Sequence, residues 1–132
     1  MERRTHLGID VRLSGEPVEL AEGRATVALT TTADMGADDH GLVHGGFVFC
    51  LADHAAMLAV NHPNVVLGSA RTKFLKPVVV GERVVAAARL DRVEGKKQIV
   101  LVEARRGDEI VFEGEFVCFS PSRHLLEKGN DP

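Results

Sequence analysis

His44-Gly45-Gly46-Phe47-Val48-Phe49-Cys50-Leu51-Ala52-Asp53-His54-Ala55-Ala56-Met57-Leu58-Ala59-Val60 is the stretch that decides the fold. It reads as one helix over Gly45–Val60, opened by a His-Gly-Gly turn and stopped by Asn61-His62-Pro63-Asn64. Apolar side chains surround it, with Val48, Leu51, Ala55 and Leu58 on one flank and Phe49, Cys50, Ala56, Met57 and Val60 on the other. A helix that is apolar all round is buried all round. One sheet covers only about half of such a helix, so the other flank calls for a second copy of the chain.

Strand patterns lie on both sides. Residues 23–31 alternate Ala25, Val27 and Leu29 against Thr26, Ala28 and Thr30. Residues 32–43 form a polar loop, and residues 7–13 suggest a short edge element. Four strand-like runs follow the helix, at 65–76, 80–93, 98–105 and Glu109–Phe119. The first puts Leu67, Ser69, Arg71, Lys73 and Leu75 on one face. Short turns at Glu94-Gly95-Lys96 and Arg106-Gly107-Asp108 imply antiparallel pairing. The layout is α+β: one helix packed on an antiparallel sheet, in one domain over 1–132 with its core at about 23–120.

The bulk numbers exclude several function classes. A net charge of −3 and a pI near 6.1 give no global electrostatic case for nucleic acid. Trp and Tyr are absent, which leaves no obvious base-stacking platform. No apolar run reaches membrane-span length, and the N-terminus lacks the apolar core of a signal peptide, so a cytoplasmic protein is expected. Cys50 and Cys118 read as buried free thiols, and the histidines show no metal-ligand spacing.

The chemistry concentrates on the helix. Asp53 is its one carboxylate, and an acid in a greasy helix is costly to bury. The glycines at the helix start allow close approach of a ligand to bare backbone N–H groups, which suits an oxyanion. Asp53 stands nine residues after His44. That is about 900° of helix rotation, half a turn out of phase, and about 13 Å of axis. If both serve one reaction they come from different chains, which places the site at a dimer interface. His54 points about 100° from Asp53 and reads as structural.

At this motif the chain resembles the hotdog-fold acyl-CoA thioesterases, in particular their PaaI-like branch. The carrying residues are His44-Gly45-Gly46, Leu51-Ala52-Asp53, and the run from Gly68 to Pro77 with the following Val-Gly-Glu. The resemblance implies one long central helix wrapped by a curved antiparallel sheet of five to six strands. It implies a homodimer with interface active sites, often a dimer of dimers. It also implies an acyl-CoA substrate with a small, medium or aromatic acyl group, whose CoA moiety is part of the substrate, and no cofactor or metal. Asp53 would then be general base or nucleophile, and the N–H of Gly45 or Gly46 would polarise the thioester carbonyl, with His44 shaping that pocket. Where many relatives carry Asn the chain has Asp38; a second acid near Asp53 would raise its pKa. Where some carry Ser or Thr early in the next strand it has Leu67, with Ser69 one pleat on as a substitute. Arg71 and Lys73 are candidates for the CoA phosphates. Phe47, Phe49, Met57 and Phe74 are candidates for the acyl pocket.

Two other functions stay open. A hotdog-fold enoyl-CoA hydratase is suggested by Asp39 and His44, five residues apart, though the usual Asn-Pro between them is His40-Gly41-Leu42-Val43 here. A non-catalytic acyl-CoA-binding module is the other; about 22 residues before the core and about 12 after it are expected to be too few for an output domain.

Overall fold

The computed structural model describes residues 1–127. Six antiparallel strands form one sheet that curls around one long helix, the hotdog architecture. The elements in chain order are α1 (Val11–Ser14), β1 (Glu16–Ala21), β2 (Arg24–Thr30), a 3₁₀ turn (Ala33–Met35), α2 (Gly45–Val60), β3 (Val66–Phe74), β4 (Arg83–Glu94), β5 (Lys97–Arg106) and β6 (Glu109–Phe119). Their order in the sheet is β1-β2-β4-β5-β6-β3.

The expected helix is met at both ends. Asn61 closes α2 in the left-handed conformation, φ 52°, with its N–H bonded to the Met57 carbonyl at 2.8 Å. Asn tolerates that conformation, and Pro63 follows. The β4–β5 and β5–β6 hairpins turn through Gly95 and Gly107, at φ 60° and 59°, as tight antiparallel turns require.

The N-terminal region differs from expectation. In place of an edge element over 7–13 there is a one-turn helix capped by Asp10, and the edge strand is β1. β3 pairs with β6 and not with its sequence neighbour β4, which leaves β3 as the other edge. β4 starts at Arg83, later than the alternation suggests. Residues 79–82 are held as a turn instead, by Thr31 Oγ1 donating to the carbonyls of Val79 and Glu82 and by the Val79 N–H donating to Glu82 Oε1.

The inner sheet face carries Val27, Val84, Ala86, Val100, Val102, Ala104, Phe112 and Phe116, all buried against α2. Small residues on both sides, Ala86 and Ala104 on the sheet and Ala52, Ala55, Ala56 and Ala59 on the helix, let the backbones approach closely. Burying these side chains is the main favourable term for the fold. The curled sheet, α1 and the N-terminal segment cover more of α2 than a flat sheet would. Apart from the half-covered Gly45, Phe47 and Val60 near its ends, only a stripe stays uncovered or half-covered, formed by Gly46, Phe49, Cys50 and Asp53, rather than a whole flank.

Candidate functional site

Asp53 closes that stripe at its C-terminal end. Its Oδ1 is buried and has no hydrogen-bond partner among the described residues. Burial disfavours the charged form, and the carboxyl pKa is pushed up to about 6. Within this chain the cause is burial, and Asp38 of the same chain does not contribute. The Asp53 charge in turn adds to burial in raising the thiols of Cys50 and Cys118, the latter to about 12. Both cysteines are free; Cys118 is buried as expected, whereas Cys50 lies exposed one turn before Asp53, on the open stripe.

The helix N-terminus is the second component. His44 occupies the cap position but its side chain makes no capping bond. Its backbone N–H is bonded to the Met35 carbonyl and that of Val43 to the Val78 carbonyl, so the entry to α2 is fixed by backbone. The first amides of a helix have no carbonyl within it to bind, which applies here to Gly45 and Gly46. The His44 imidazole lies over Gly46, where a Cβ would stand 3.0 Å from Nε2. Gly45 opens on a cleft of about 340 Å³ between the loop before α2 and the end of β3.

Asp38 is exposed and turned into its own loop. Its Oδ1 accepts from the N–H groups of His40, at 2.9 Å, and Leu42, at 3.2 Å. Its place in the structure is that of a loop organiser leading to His44.

β3 carries the remaining candidates, and a bulge redistributes them. Leu67 pairs with Cys118 and Ser69 with Val117, so Gly68 is the extra residue. Opposed residues share a face, so Leu67 points inward with Cys118 and Ser69 points outward. The one-face alternation expected for Leu67 and Ser69 is broken there. Arg71 lies opposite Glu115 and Lys73 opposite Glu113, also on the outer face and away from the helix of their own chain. Phe49 is half-buried and edge-on to Phe116, with centroids 5.6 Å apart. Met57 is wholly buried in the core.

His54 is structural, as its phase suggested. It is fully buried, with Nδ1 3.2 Å from the Ser14 carbonyl; since a carbonyl only accepts, Nδ1 carries the proton. Its Nε2 is buried without a partner among the described residues. Arg106 is a residue the sequence reading missed. It donates to the Pro77 carbonyl and pairs with Glu82 and Glu109, pinning the segment behind the cleft. In sequence it is one more charge in a turn, with no periodicity to mark it. No group of side chains suited to a metal ion occurs among the described residues, and no helix there is long and apolar enough to cross a membrane.

Comparison with known proteins places this geometry among relatives. The model of the thioesterase superfamily matches residues 40–113, which span the helix, β3 and most of the sheet. An uncharacterised protein from Pyrococcus horikoshii superposes with a TM-score of 0.94 at 50% identity, covering 96% of this chain and 98% of that one. The PaaI protein from the phenylacetic acid degradation operon of E. coli gives a TM-score of 0.77 at 25% identity, over 85% and 83% of the two chains. Among curated proteins, a methylthioribose-1-phosphate isomerase from Aquifex aeolicus is 60% identical over 116 residues, 88% of this chain but only 25% of the isomerase. The transcription factor FapR of Caldanaerobacter subterraneus is 30% identical over 129 residues, 97% of this chain and 64% of the factor. The chain thus spans a quarter to just under two thirds of the length of these two curated relatives.

Proposed function

This chain belongs to the thioesterase superfamily and has the hotdog fold of its PaaI-like relatives, and from that premise we propose that it is an acyl-CoA thioesterase working as a homodimer. The observation that carries the reading is Asp53: a carboxylate with a buried, unpartnered oxygen and a pKa of about 6, on the open stripe of α2. Few purely structural roles reward such a group, whereas a general base is best poised near the working pH.

The site is completed across the dimer. Asp53 of one chain faces the α2 N-terminus of the other, since within a chain the two stand about 13 Å apart. β3 is a sheet edge with an unpaired row of backbone groups, which supports edge-to-edge pairing of two copies. Ionised Asp53 takes a proton from water as the water oxygen bonds to the thioester carbon, the N–H groups of Gly45 and Gly46 hold the developing oxyanion, and the carbon–sulfur bond breaks as the sulfur leaves with that proton. In the nucleophilic alternative Asp53 bonds to the carbon itself, the thiolate leaves and takes a proton from solvent, and water then cleaves the mixed anhydride to release the acid and restore the carboxylate. His44 covers Gly46 and Asp38 fixes the loop before it. Ser69, Arg71 and Lys73 lie on the outer face of β3, where CoA is met at the rim. A pairing of dimers and a cytoplasmic location complete this reading.

A second reading rests on FapR, similar over nearly the whole chain: an acyl-CoA-binding module that senses and does not turn over. Thiol release from a panel of acyl-CoAs, by wild type and Asp53→Asn, separates the two. Hydrolysis that falls about 10²–10⁴-fold in a folded Asp53→Asn supports the thioesterase. Binding without release, unchanged in the variant, favours the module. Mixing Asp53→Asn with Gly45→Ala chains tests the shared site: reassorted dimers hold one intact site in two, and about a quarter of wild-type activity returns.

A further inference from the structure

The amides of Gly45 and Gly46 are placed by the residues that lead into α2, and no side chain caps that end. Residues 41–43 pair by backbone with the connection between β3 and β4. The Val43 N–H donates to the Val78 carbonyl and the Val80 N–H to the Gly41 carbonyl, both at 2.8 Å. The helix entry therefore inherits its position from residues 77–82, a segment that lies outside the named strands. Arg106, the last residue of β5, grips this segment near both ends. Its Nη1 donates to the Pro77 carbonyl and, at 3.3 Å, to Glu82 Oε1. The same Glu82 oxygen accepts from the Val79 N–H at 2.6 Å. Nη2 donates to Glu109 Oε1 at 3.3 Å, and Glu109 Oε2 accepts from Lys76 Nζ at 2.6 Å. The two cations hold the Glu109 carboxyl below its usual range. The Arg106 side chain is 22% exposed, against 45–74% for Arg12, Arg89, Arg92 and Arg105, so solvent screens its pairs less.

We propose that Arg106 is a positioning residue for the oxyanion site: by fixing residues 77–82 it sets where the backbone of 41–44 delivers the amides of Gly45 and Gly46. The inference rests on the thioesterase reading. Arg106 does not line the cleft beside Gly45, so it acts through the backbone and not on the substrate. A misplacement of about 1 Å, caused far from the chemistry, costs on the order of 10²-fold in rate. Charge on the carbonyl oxygen is largest in the transition state, so a misplaced amide lowers kcat more than it raises KM. The fork of the guanidinium is what the role needs. An ammonium at this position keeps the charge beside Glu82 and Glu109 but does not hold the Pro77 carbonyl and both carboxylates together.

The test is Arg106→Lys, with Arg105→Gln as control, since Arg105 bonds to Glu103 and to the Asp108 carbonyl on the turn itself. Steady-state kinetics on the best acyl-CoA of the panel and thermal unfolding are measured on the same preparations. Arg106→Lys is expected to lower Tm by no more than about 4 °C. Its kcat is expected to fall about 10–100-fold with KM within about threefold of wild type. Arg105→Gln is expected to match wild type in all three. Amide hydrogen exchange gives a second readout: Val43 and Val80 are expected to exchange about tenfold faster in Arg106→Lys, with Val100 and Val102 in β5 unchanged. A wild-type kcat in folded Arg106→Lys, or an equal loss in Arg105→Gln, overturns the assignment while leaving the thioesterase in place. Should Arg106→Lys fail to fold, Glu82→Gln, which loosens the grip but keeps an acceptor for the Val79 N–H, is judged by the same criteria. If wild type cleaves no thioester, the thioesterase reading falls by itself. Exchange then judges the hold on the helix entry, which fails if Val43 and Val80 exchange no faster in the variant.

Discussion

Gly45 rests against the ring of Phe74: a Cβ at Gly45 would stand 3.2 Å from Cε1 of that ring. The first residue of the helix and the last residue of β3 thus share one space, which only a missing side chain leaves open. The electrophilic end of the helix and the wall beside it are coupled by contact.

Gly45→Ala is expected to act on turnover more than on stability. Alanine suits a helix better than glycine by roughly 0.5–1 kcal/mol, which offsets the crowding of a ring that has to give only a few tenths of an ångström. The displaced ring enters the cleft, and kcat/KM falls about tenfold or more. Thermal unfolding and thiol release measured on one preparation check this; a fall of both together would make Gly45 a folding residue.

Asp53→Asn is expected to stabilise the protein while disabling it. The carboxyl pKa is about 6 in the fold against 3.8 for the free group, so ionising it in place is costly. A raised acid favours the folded state fully below pH 3.8 and loses that contribution as pH rises through about 6. The deficit is on the order of 2–3 kcal/mol by pH 8. Urea unfolding at pH 4.5 and 8 should show the variant gaining on wild type at both, and markedly more at the higher pH. The rate of wild type should fall on the acid side with a midpoint near 6, as the base protonates.

The His6–His54 pair works in the opposite direction. The rings are stacked with centroids 6.3 Å apart. Burial lowers both pKa values below 6.5; each is lowered further by Arg3, and His6 also by His54, while the Ser14 carbonyl partly opposes the shift at His54. A base held neutral contributes its stability above pH 6.5 and loses it as pH falls below that value. Titration of the two imidazoles by NMR should give midpoints under 6.5, and His54→Gln should raise that of His6. A midpoint for His6 unmoved by the substitution would mean that the rings do not interact.

Gly68→Ala is expected to destabilise by about 1–3 kcal/mol, because the new methyl would lie 2.3 Å from the Phe119 ring. Phe119→Leu should recover part of that loss in a double-mutant cycle. Additive losses would place the strain in the bulge itself.

The helix was legible because its signals are local: a run of apolar residues, a glycine entry and an Asn-Pro stop. The hairpins were legible from alternation and turn glycines. The side of the sheet that β3 joins was not, because alternation says which residues share a face and nothing about which strand lies next. The bulge at Gly68 escaped for a related reason. One unpaired residue reverses every later face assignment relative to Leu67, and only the partner strand reveals it. For the site, the buried acid and the glycine entry could be named from sequence, since each breaks a local rule. The Lys76–Glu109 pair could not, because its members lie 33 residues apart and look like ordinary surface charge.

Asn61 closes α2, and its side chain also grips the start of the chain, accepting from the Arg4 N–H and donating to the Glu2 carbonyl. The same residue therefore belongs to two segments more than fifty positions apart in sequence. Neither segment can let go without leaving the other with unanswered polar groups. The first residues and the helix's last turn are expected to open and close as one cooperative unit.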